Sequence, residues 1–258
     1  MWYKRKVITG EDYDQDILRQ GIQFQIDYYF EPREKFWQER IERVLHYLNP
    51  QKGEKILDVG CGVGTFAFHS AKHGAFGYGI DYSQESIKMA KLVAGKYKLT
   101  QNTSYIVADA TKIPFRNNFF DKIVSADFIE HIYYDETKKV VKEMVRVLKP
   151  GGLLVLYTPS RNPQILNVVF QKTKRLLTFK NPTMFNLLTP THVHVGLKTP
   201  YDIQRLFEGS GLKFKIILFA RDIVLPFPLS RLWFFICEQF FLTKTLLAER
   251  ILLIGRKE

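Results

Sequence analysis

The sequence is poor in cysteine and lacks any long apolar run. Cys61 and Cys237 are its two cysteines, too few for a disulfide framework and typical of a reducing compartment. No run of about 18 apolar residues is free of charge, which argues against a conventional transmembrane helix. The basic start at residues 1–6 is not followed by an apolar stretch, so we expect no secretory signal. These absences predict a cytoplasmic protein.

Positive charge is in excess and is concentrated near the C-terminus. The chain has 38 Lys and Arg against 26 Asp and Glu, a formal net charge of +12. Residues 161–258 hold 15 basic and 6 acidic side chains, a net charge of +9. The hydrophobic fraction of 46% is that of a globular protein and argues against disorder or a fibrous repeat. The basic part therefore predicts contact with an anionic partner.

Short apolar runs alternate with amphipathic stretches between residues 34 and 160. Helical periodicity is clear at residues 34–48, where Ile41 and Val44 share one face. The other predicted helices lie at residues 65–73, 83–95 and 136–148, and the predicted strands at 55–59, 76–80, 104–108, 122–126 and 153–158. This alternation indicates βαβ units with right-handed crossovers and a mainly parallel sheet.

The alternation loosens after Pro159. A helix is predicted at residues 199–208, with Thr199 as its N-cap and Pro200 in its first turn. Two further strands are predicted, at residues 213–220 and 250–256.

Neither an internal repeat nor a low-complexity linker divides the chain, so we interpret residues 1–258 as one domain. Its parts are an N-terminal cap with the first helix, a core and two insertions, at residues 1–50, 51–160, 161–198 and 221–249. The insertions combine basic side chains with Phe, Leu and Trp. Their predicted role is an acceptor cap, a dimer interface or a surface for anionic lipid.

A glycine-rich turn directly after the first predicted strand is the clearest motif. The stretch D-V-G-C-G-V-G at residues 58–64 lets the backbone turn tightly and approach a ligand at the N-terminus of the next helix. The dehydrogenase pattern G-x-G-x-x-G fails in its first register, because Thr65 stands at the last position. The looser pattern G-x-G-x-x-A fits residues 62–67, which end at Ala67, so a nucleotide oxidoreductase remains an alternative.

Three further features follow later in the chain. Asp81 ends the second strand, where a carboxylate can accept hydrogen bonds from both ribose hydroxyls. Asp109 follows the third strand, placed to meet an adenine amino group, and K-P-G-G at residues 149–152 forms the turn before the fifth strand. Together with the glycine turn, these features resemble class I S-adenosylmethionine-dependent methyltransferases of methyltransferase type 11. The resemblance spans about residues 34–160, and residues 191–212 look like the later part of the same family.

The resemblance implies a Rossmann-like α/β fold. Its sheet has seven strands in the order 3-2-1-4-5-7-6, strand 7 is antiparallel, helices cover both faces, and helical insertions lie near the C-terminus. S-adenosyl-L-methionine would be the cofactor and S-adenosyl-L-homocysteine the product.

The resemblance also implies roles for single residues. The glycine turn would hold the methionine moiety, Asp58 its ammonium group and Asp81 the ribose, while Tyr82 or Ile113 would pack on the adenine. The predicted cofactor-binding residues are Asp58, Gly60, Cys61, Gly62, Gly64, Asp81, Tyr82, Asp109, Ala110 and Ala126. For Asp81 and Asp109 the alternative is an ordinary strand-end carboxylate. Cys61 has no local histidine to activate it, so we expect a small buried residue.

An acidic and histidine cluster follows the fourth strand. Asp127, Glu130 and His131 have the spacing of one face of a helical turn, where they could hold a divalent ion that orients a catechol-like acceptor. Ubiquinone-biosynthesis O-methyltransferases have a similar pattern, with Glu where this sequence has Asp127. Our prediction is no metal and a structural role, with a metal site and a general base at His131 as alternatives.

A second histidine pair lies ahead of the helix predicted at residues 199–208. His192 and His194 are alternate residues of an extended segment and would point the same way. The corresponding loop of related methyltransferases borders the acceptor pocket, so either side chain is a candidate base, with a structural role as the alternative. Two histidines alone do not predict a zinc site. Residues 27–30 are aromatic-rich and predict either a lid over the cofactor or core packing.

These observations predict transfer of a methyl group to an oxygen of a small-molecule or lipid-linked acceptor, such as a quinone precursor or a sugar on a lipid carrier. The alternatives are a non-catalytic S-adenosylmethionine-binding protein, an RNA methyltransferase and an NAD-binding oxidoreductase. The sequence has neither a visible nucleic-acid-binding module nor an N-P-P-Y motif after strand four, so nucleic acid is not the expected partner. Peripheral binding to the inner face of the membrane and a homodimer stay open.

Overall fold

The computed structural model describes residues 10–161, 196–220 and 248–258. In these ranges, strands β1 to β7 are Lys55–Val59, Phe76–Asp81, Thr103–Val107, Phe120–Ala126, Leu148–Pro159, Leu212–Ala220 and Ala248–Lys257. Helices α1 to α6 are Gly10–Gln25, Lys35–Leu48, Thr65–Lys72, Gln84–Lys96, Tyr134–Val147 and Pro200–Phe207. Single π-helical or 3-10 turns form at Ile26–Phe30, Ala110–Lys112 and Ile129–His131.

The strands form one sheet in the order β3-β2-β1-β4-β5-β7-β6, which confirms the predicted order. Strands β1 to β5 pair in parallel, whereas β7 is antiparallel to both β5 and β6. The carboxyl ends of the parallel strands therefore meet at one edge. The order reverses between β1 and β4, and this switch point is where a crevice opens in such sheets.

Apolar side chains on both faces of the sheet explain why helices pack against both faces. Leu57 of β1 and Ile123 of β4 pack with α5 and α6 on one face. The neighbouring residues Ile56 and Val124 point to the opposite face and pack with α2. Successive strand residues thus supply two cores, as expected for parallel strands buried on both sides.

Several boundaries differ from the predicted ones. Helix α1 was not predicted; it is interrupted at Gly21, whose φ of 71° is not helical. Strand β5 begins at Leu148 instead of residue 153, because Leu148 already pairs with Phe120 before the register shifts. The predicted turn at residues 149–152 consequently lies inside the strand, with a left-handed φ of 73° at Gly151.

The two predicted insertions fall mostly on residues 162–195 and 221–247, which lie outside the described residues. Their roles therefore stay predictions. Among the helices that the structure does describe, none is long and apolar enough to cross a bilayer.

Candidate functional site

A cleft of about 920 Å³ opens at the carboxyl ends of the parallel strands. It extends from Asp81 and Asp109, past the glycine turn, to Asp127 after β4 and Arg250 of β7. Nine of the ten predicted cofactor-binding residues line it, namely Asp58, Gly60, Cys61, Gly62, Asp81, Tyr82, Asp109, Ala110 and Ala126. The tenth, Gly64, is packed against the Tyr105 ring.

The glycine turn leaves bare backbone facing this cleft. Gly60 has a φ of 68°, and a Cβ atom there would overlap the Phe128 ring. Gly62 has a φ of 52°, and no atom lies within 4 Å of the point where its Cβ would be. A side chain at Gly62 would therefore occupy open cleft, which leaves room for a ligand to approach the backbone.

Asp58 lies at the floor of the cleft with only 2% of its surface exposed. Its Oδ2 atom accepts hydrogen bonds from the backbone N–H groups of Phe66 and Ala67, at 3.1 and 3.3 Å, and so anchors the N-terminus of α3. Burial raises the pKa of Asp58 to about 7, against the effect of these N–H groups and of Arg40. The structure thus assigns Asp58 a positioning contact, while its predicted ammonium contact stays a prediction.

Asp81 joins the second strand to the glycine turn. Its Oδ2 accepts a hydrogen bond of 2.8 Å from the Gly62 N–H, and its Oδ1 accepts one of 2.9 Å from the Ser83 N–H. Burial raises the pKa of Asp81, and the neighbouring N–H groups act in the opposite direction. The carboxylate is therefore held at the edge of the cleft beside the bare backbone of Gly62.

The residues predicted to contact adenine differ in their access to the cleft. Tyr82 lines the cleft and is 64% exposed, whereas Ile113 is buried in the core. The exposed Asp109 uses both oxygens within its own turn, accepting from the Thr111 N–H at 2.7 Å and from the Thr111 hydroxyl at 2.8 Å. These bonds agree with the alternative that Asp109 is an ordinary strand-end carboxylate, and an adenine contact stays a prediction.

Cys61 is buried at the inner side of the glycine turn. Burial raises the pKa of its thiol well above the usual range, with Asp58 and Asp81 adding to the effect. A thiol held in this state is a poor nucleophile. The geometry therefore agrees with a small residue that fits the turn.

The expectation of one helical face for Asp127, Glu130 and His131 is wrong. Asp127 has a left-handed backbone, with a φ of 52°, and precedes a 3-10 turn instead of starting an α-helix. Its two carboxylate oxygens accept hydrogen bonds from Arg40 and Arg250. Within the described ranges, no group of three His, Cys, Asp or Glu side chains is arranged to hold a metal ion. The donor set therefore does not fit the metal alternative.

Glu130 and His131 also line the cleft. Glu130 is 1% exposed and accepts a hydrogen bond of 3.0 Å from the Thr158 hydroxyl. Burial, together with the charge of Asp127, raises the pKa of Glu130 to about 8. His131 remains a candidate base by position, while His192 and His194 lie outside the described residues.

Four cationic residues at or near the cleft were missed from the sequence. Arg40, Lys139 and Arg250 line it. Lys198 lies beside it, with its ammonium group donating to the carbonyls of Ile129 and Gly196 at 2.6 Å each. One signal was available, because Arg40 lies on the apolar face of the predicted helix at residues 34–48, where a charge needs a partner.

The aromatic segment at residues 27–30 divides between its two predicted roles. Tyr29 lines the cleft, together with Trp37 of α2. Phe30 is buried and packs edge-on against the Phe68 ring at 4.8 Å. The segment therefore contributes to both the cleft wall and the core.

Comparison with known proteins agrees with this geometry. The family model described as a methyltransferase domain matches residues 57–156. The ubiquinone biosynthesis O-methyltransferase of Coxiella burnetii (strain RSA 493 / Nine Mile phase I) is 31% identical over 173 residues, which cover 66% of this chain and 69% of that protein. The chain belongs to the family of S-adenosylmethionine-dependent methyltransferases, which confirms the resemblance drawn from the motifs.

Other proteins that are similar in sequence or in fold differ in their named reactions. The norajmaline N-methyltransferase of Rauvolfia serpentina is 37% identical over 122 residues, which cover 45% of this chain but only 41% of that protein. The crystal structure of geranyl diphosphate C-methyltransferase from Streptomyces coelicolor A3(2), in complex with Mg2+, geranyl diphosphate and S-adenosyl-L-homocysteine, has a TM-score of 0.61 at 14% identity. That match covers 100% of this chain and 86% of the other, and at this identity it shows the fold alone.

Proposed function

We propose that this chain transfers a methyl group from S-adenosylmethionine to an oxygen atom of a small-molecule or lipid-linked acceptor. A quinone precursor and a sugar on a lipid carrier are the acceptor types that we favour. The observation that carries the proposal is the bare Gly62 backbone beside the Asp81 carboxylate, in a cleft that continues past the glycine turn. The O-methyltransferase relative supports oxygen as the methylated atom.

The residues of the donor end fit this cofactor. The space beside the Gly62 backbone is open, and a Cβ atom at this position would occupy it. The cofactor would bind in this space, next to the Asp81 carboxylate. When bound, S-adenosylmethionine supplies a methyl group on a positively charged sulfur. The chain's own contribution is to align the two reactants and to exclude water, for which Tyr29 and Trp37 are placed along the cleft wall.

In the proposed step, the acceptor oxygen attacks the methyl carbon in line with the carbon–sulfur bond. That bond breaks with its electron pair on sulfur, and S-adenosylhomocysteine leaves. The hydroxyl proton must pass to a base when the acceptor is protonated. We propose His131 for this role because it lines the cleft, and His192 and His194 stay candidates from the sequence.

The experiment uses methyl-labelled S-adenosylmethionine with catechol, a polyprenylated catechol, aniline and unmodified tRNA as acceptors. We expect a labelled ether from a catechol and none of the labelled amine. Label on aniline or tRNA alone would contradict O-methylation and favour the N-methyltransferase or RNA alternative.

A variant of the donor site controls this assay. Asp81→Ala removes the carboxylate beside Gly62, and we expect it to weaken S-adenosylhomocysteine binding at least about tenfold, because charge-assisted hydrogen bonds are lost. Asp121→Ala is the matched control, since Asp121 also accepts a hydrogen bond from a backbone N–H, that of Lys55 at 2.8 Å, but does not line the cleft. Equal affinity in both variants would overturn the ribose role of Asp81.

We further propose a cytoplasmic location, with the basic C-terminal part meeting an anionic lipid surface when the acceptor is lipid-linked. The proposal rests on the net charge of +9 in residues 161–258 and on the apolar and aromatic residues among those charges.

A further inference from the structure

Two arginine side chains from distant parts of the sequence meet in the part of the cleft beyond the glycine turn. Arg40 projects from α2, and Arg250 lies on β7 opposite Pro159 at the end of β5. Both side chains line the cleft. We refer to Arg40 and Arg250 as the arginine pair.

The arginine pair shares one carboxylate. Arg40 Nε donates to Asp127 Oδ2 and Arg250 Nη1 donates to Asp127 Oδ1, each at 2.5 Å. One carboxylate neutralises one guanidinium, so the arginine pair and Asp127 together keep one positive charge. Glu136 and Lys139, which also line the cleft, have opposite charges and leave this sum unchanged. Glu130 supplies little charge near neutral pH, because burial raises its pKa to about 8. Asp58 has a pKa raised to about 7, and its Oδ2 is already bonded to the N-terminus of α3.

Arg40 also has an unsatisfied donor. The residue is 7% exposed, and its Nη1 atom is buried without a hydrogen-bond partner among the described residues. A buried donor left without an acceptor is costly, on the order of 1–3 kcal/mol. A ligand oxygen in the cleft would remove this cost.

Aromatic rings hold the arginine pair in place. The Arg40 guanidinium lies 5.2 Å from the centre of the Phe66 ring, and that of Arg250 lies 5.6 Å from both the Phe36 and Tyr157 rings. Stacking of this kind fixes the plane of a guanidinium and leaves its edge N–H groups free to bind. Asp127 also holds both guanidinium groups through its carboxylate. Its backbone is left-handed, an uncommon conformation for a residue other than glycine.

We propose that the arginine pair binds an oxyanion of the acceptor, either a carboxylate or a phosphate group. Guanidinium edges match both groups in geometry and charge. The acceptor, anchored by this anion, would extend along the cleft towards the glycine turn, where the methyl group is delivered. The inference rests on the proposed function, because it names the chemical class of that function's acceptor.

The test measures anion binding directly. Benzoate, inorganic pyrophosphate and neutral benzamide are titrated into the full-length protein by calorimetry, with and without saturating S-adenosylhomocysteine. We expect benzoate or pyrophosphate to bind at least about tenfold more tightly than benzamide, as charge-assisted recognition requires. Tighter binding of pyrophosphate indicates a phosphate-bearing acceptor, and tighter binding of benzoate indicates a carboxylic acid. Equal or absent binding of all three probes would overturn the proposal.

Variants locate the bound anion. Arg250→Gln should weaken binding of the better anion at least about tenfold while the affinity for S-adenosylhomocysteine changes less than about twofold. Arg205→Gln is the matched control, because it removes the same charge from the exposed face of α6 beside Tyr201. If both variants bind the anion like the wild type, the arginine pair is not the site.

Two substitutions guard against a folding defect. Arg40→Lys keeps the buried charge but removes the guanidinium fork, and should also weaken anion binding. Asp127→Asn preserves shape, suits the left-handed backbone and removes the competing carboxylate, so it should strengthen anion binding. Weaker binding in a folded Asp127→Asn variant would contradict the proposal. Anion binding that persists without any S-adenosylhomocysteine binding would instead refute the proposed function and leave the anion site intact.

Discussion

Gly62 and Gly53 have the same backbone requirement in different surroundings. Their φ angles are 52° and 82°, and neither has an atom within 4 Å of its ideal Cβ position. Of the two, Gly62 faces the cleft, whereas Gly53 lies in the turn before β1. Substitution of each glycine by alanine therefore distinguishes the loss of stability caused by backbone strain from the loss of ligand affinity caused by a side chain in the cleft.

We predict that Gly62→Ala weakens S-adenosylhomocysteine binding at least about tenfold, while Gly53→Ala leaves it unchanged. Both variants should lose similar stability, about 1–2 kcal/mol, since each places a side chain in a left-handed backbone. Calorimetric titration and thermal unfolding measure the two effects. A similar loss of affinity in both variants would show that strain, and not occupation of the cleft, is responsible.

Glu130 predicts a pH dependence of stability. Its pKa rises from the ordinary value of 4.5 to about 8 in the folded protein. Between these values the folded state retains a proton that the unfolded state has lost, so the free energy of unfolding falls as the pH rises through this window. The effect is complete above the folded pKa.

Glu130→Gln should reduce this pH dependence, because the amide resembles the protonated acid and cannot ionise. Urea unfolding at about pH 6 and about pH 9 should show a wild-type loss that exceeds the variant's loss by on the order of 1 kcal/mol or more. Glu208→Gln, at an exposed position after α6, is the control. Identical pH dependence in wild type and Glu130→Gln would show that Glu130 ionises normally.

Local motifs could be predicted at the level of residues, and long-range partners could not. The glycine turn and Asp81 lie within 25 residues of each other and follow strands that are visible in the sequence. Of the two partners of Asp127, Arg40 lies 87 residues earlier in the chain and Arg250 lies 123 residues later. No spacing rule connects such a pair, because the sheet brings β7 beside β5 only after folding.

At the level of elements, strands were easier to predict than the N-terminal helix. The central strands β1, β4 and β5 each contain a short apolar run, at residues 56–57, 123–124 and 153–157, so their positions are visible in the sequence. Helix α1 contains Gly21 in a non-helical conformation, and this glycine lowers the helix propensity of residues 10–25. Its place in the structure depends on contacts with another element, α4.

Asp14 supplies such a contact between α1 and α4. Its Oδ1 atom accepts hydrogen bonds from the Ser83 hydroxyl at 2.5 Å and from the Glu85 N–H at 3.2 Å. We predict that Asp14→Ala increases amide hydrogen exchange of residues 10–25 at least about fivefold, because a net contribution of about 1 kcal/mol is lost. Strands β1 and β4 should exchange as in the wild type.

Asp27→Ala is the control for this experiment. Asp27, in the adjoining turn Ile26–Phe30, accepts a hydrogen bond from Gln23 of α1, and that bond does not connect α1 to α4. Unchanged exchange of α1 in Asp14→Ala would mean that apolar packing alone holds the helix.

The order of the whole sheet could be predicted through the family resemblance. Alternating strands and helices indicated only a mainly parallel sheet, and the antiparallel β7 followed from the motifs that identify the family. Residues 161–258 illustrate the limit, because their charge and aromatic content fit an acceptor cap, a dimer interface and a lipid surface equally.

The charge of this C-terminal part makes a prediction for the whole molecule. Vesicles that contain phosphatidylglycerol should bind the protein, and pure phosphatidylcholine vesicles should not, because each basic side chain near an anionic surface contributes about 1 kcal/mol. Salt should release the protein by screening. Sedimentation with both vesicle types measures this. Failure to bind either type, together with a dimer in equilibrium sedimentation, would favour the dimer interface.

Binding of S-adenosylmethionine in the cleft is tested most directly by calorimetric titration of the wild-type protein with S-adenosylhomocysteine, with NAD as the control. We expect binding at one site with a dissociation constant on the order of micromolar and no heat from NAD. Binding of NAD without binding of S-adenosylhomocysteine would contradict this expectation.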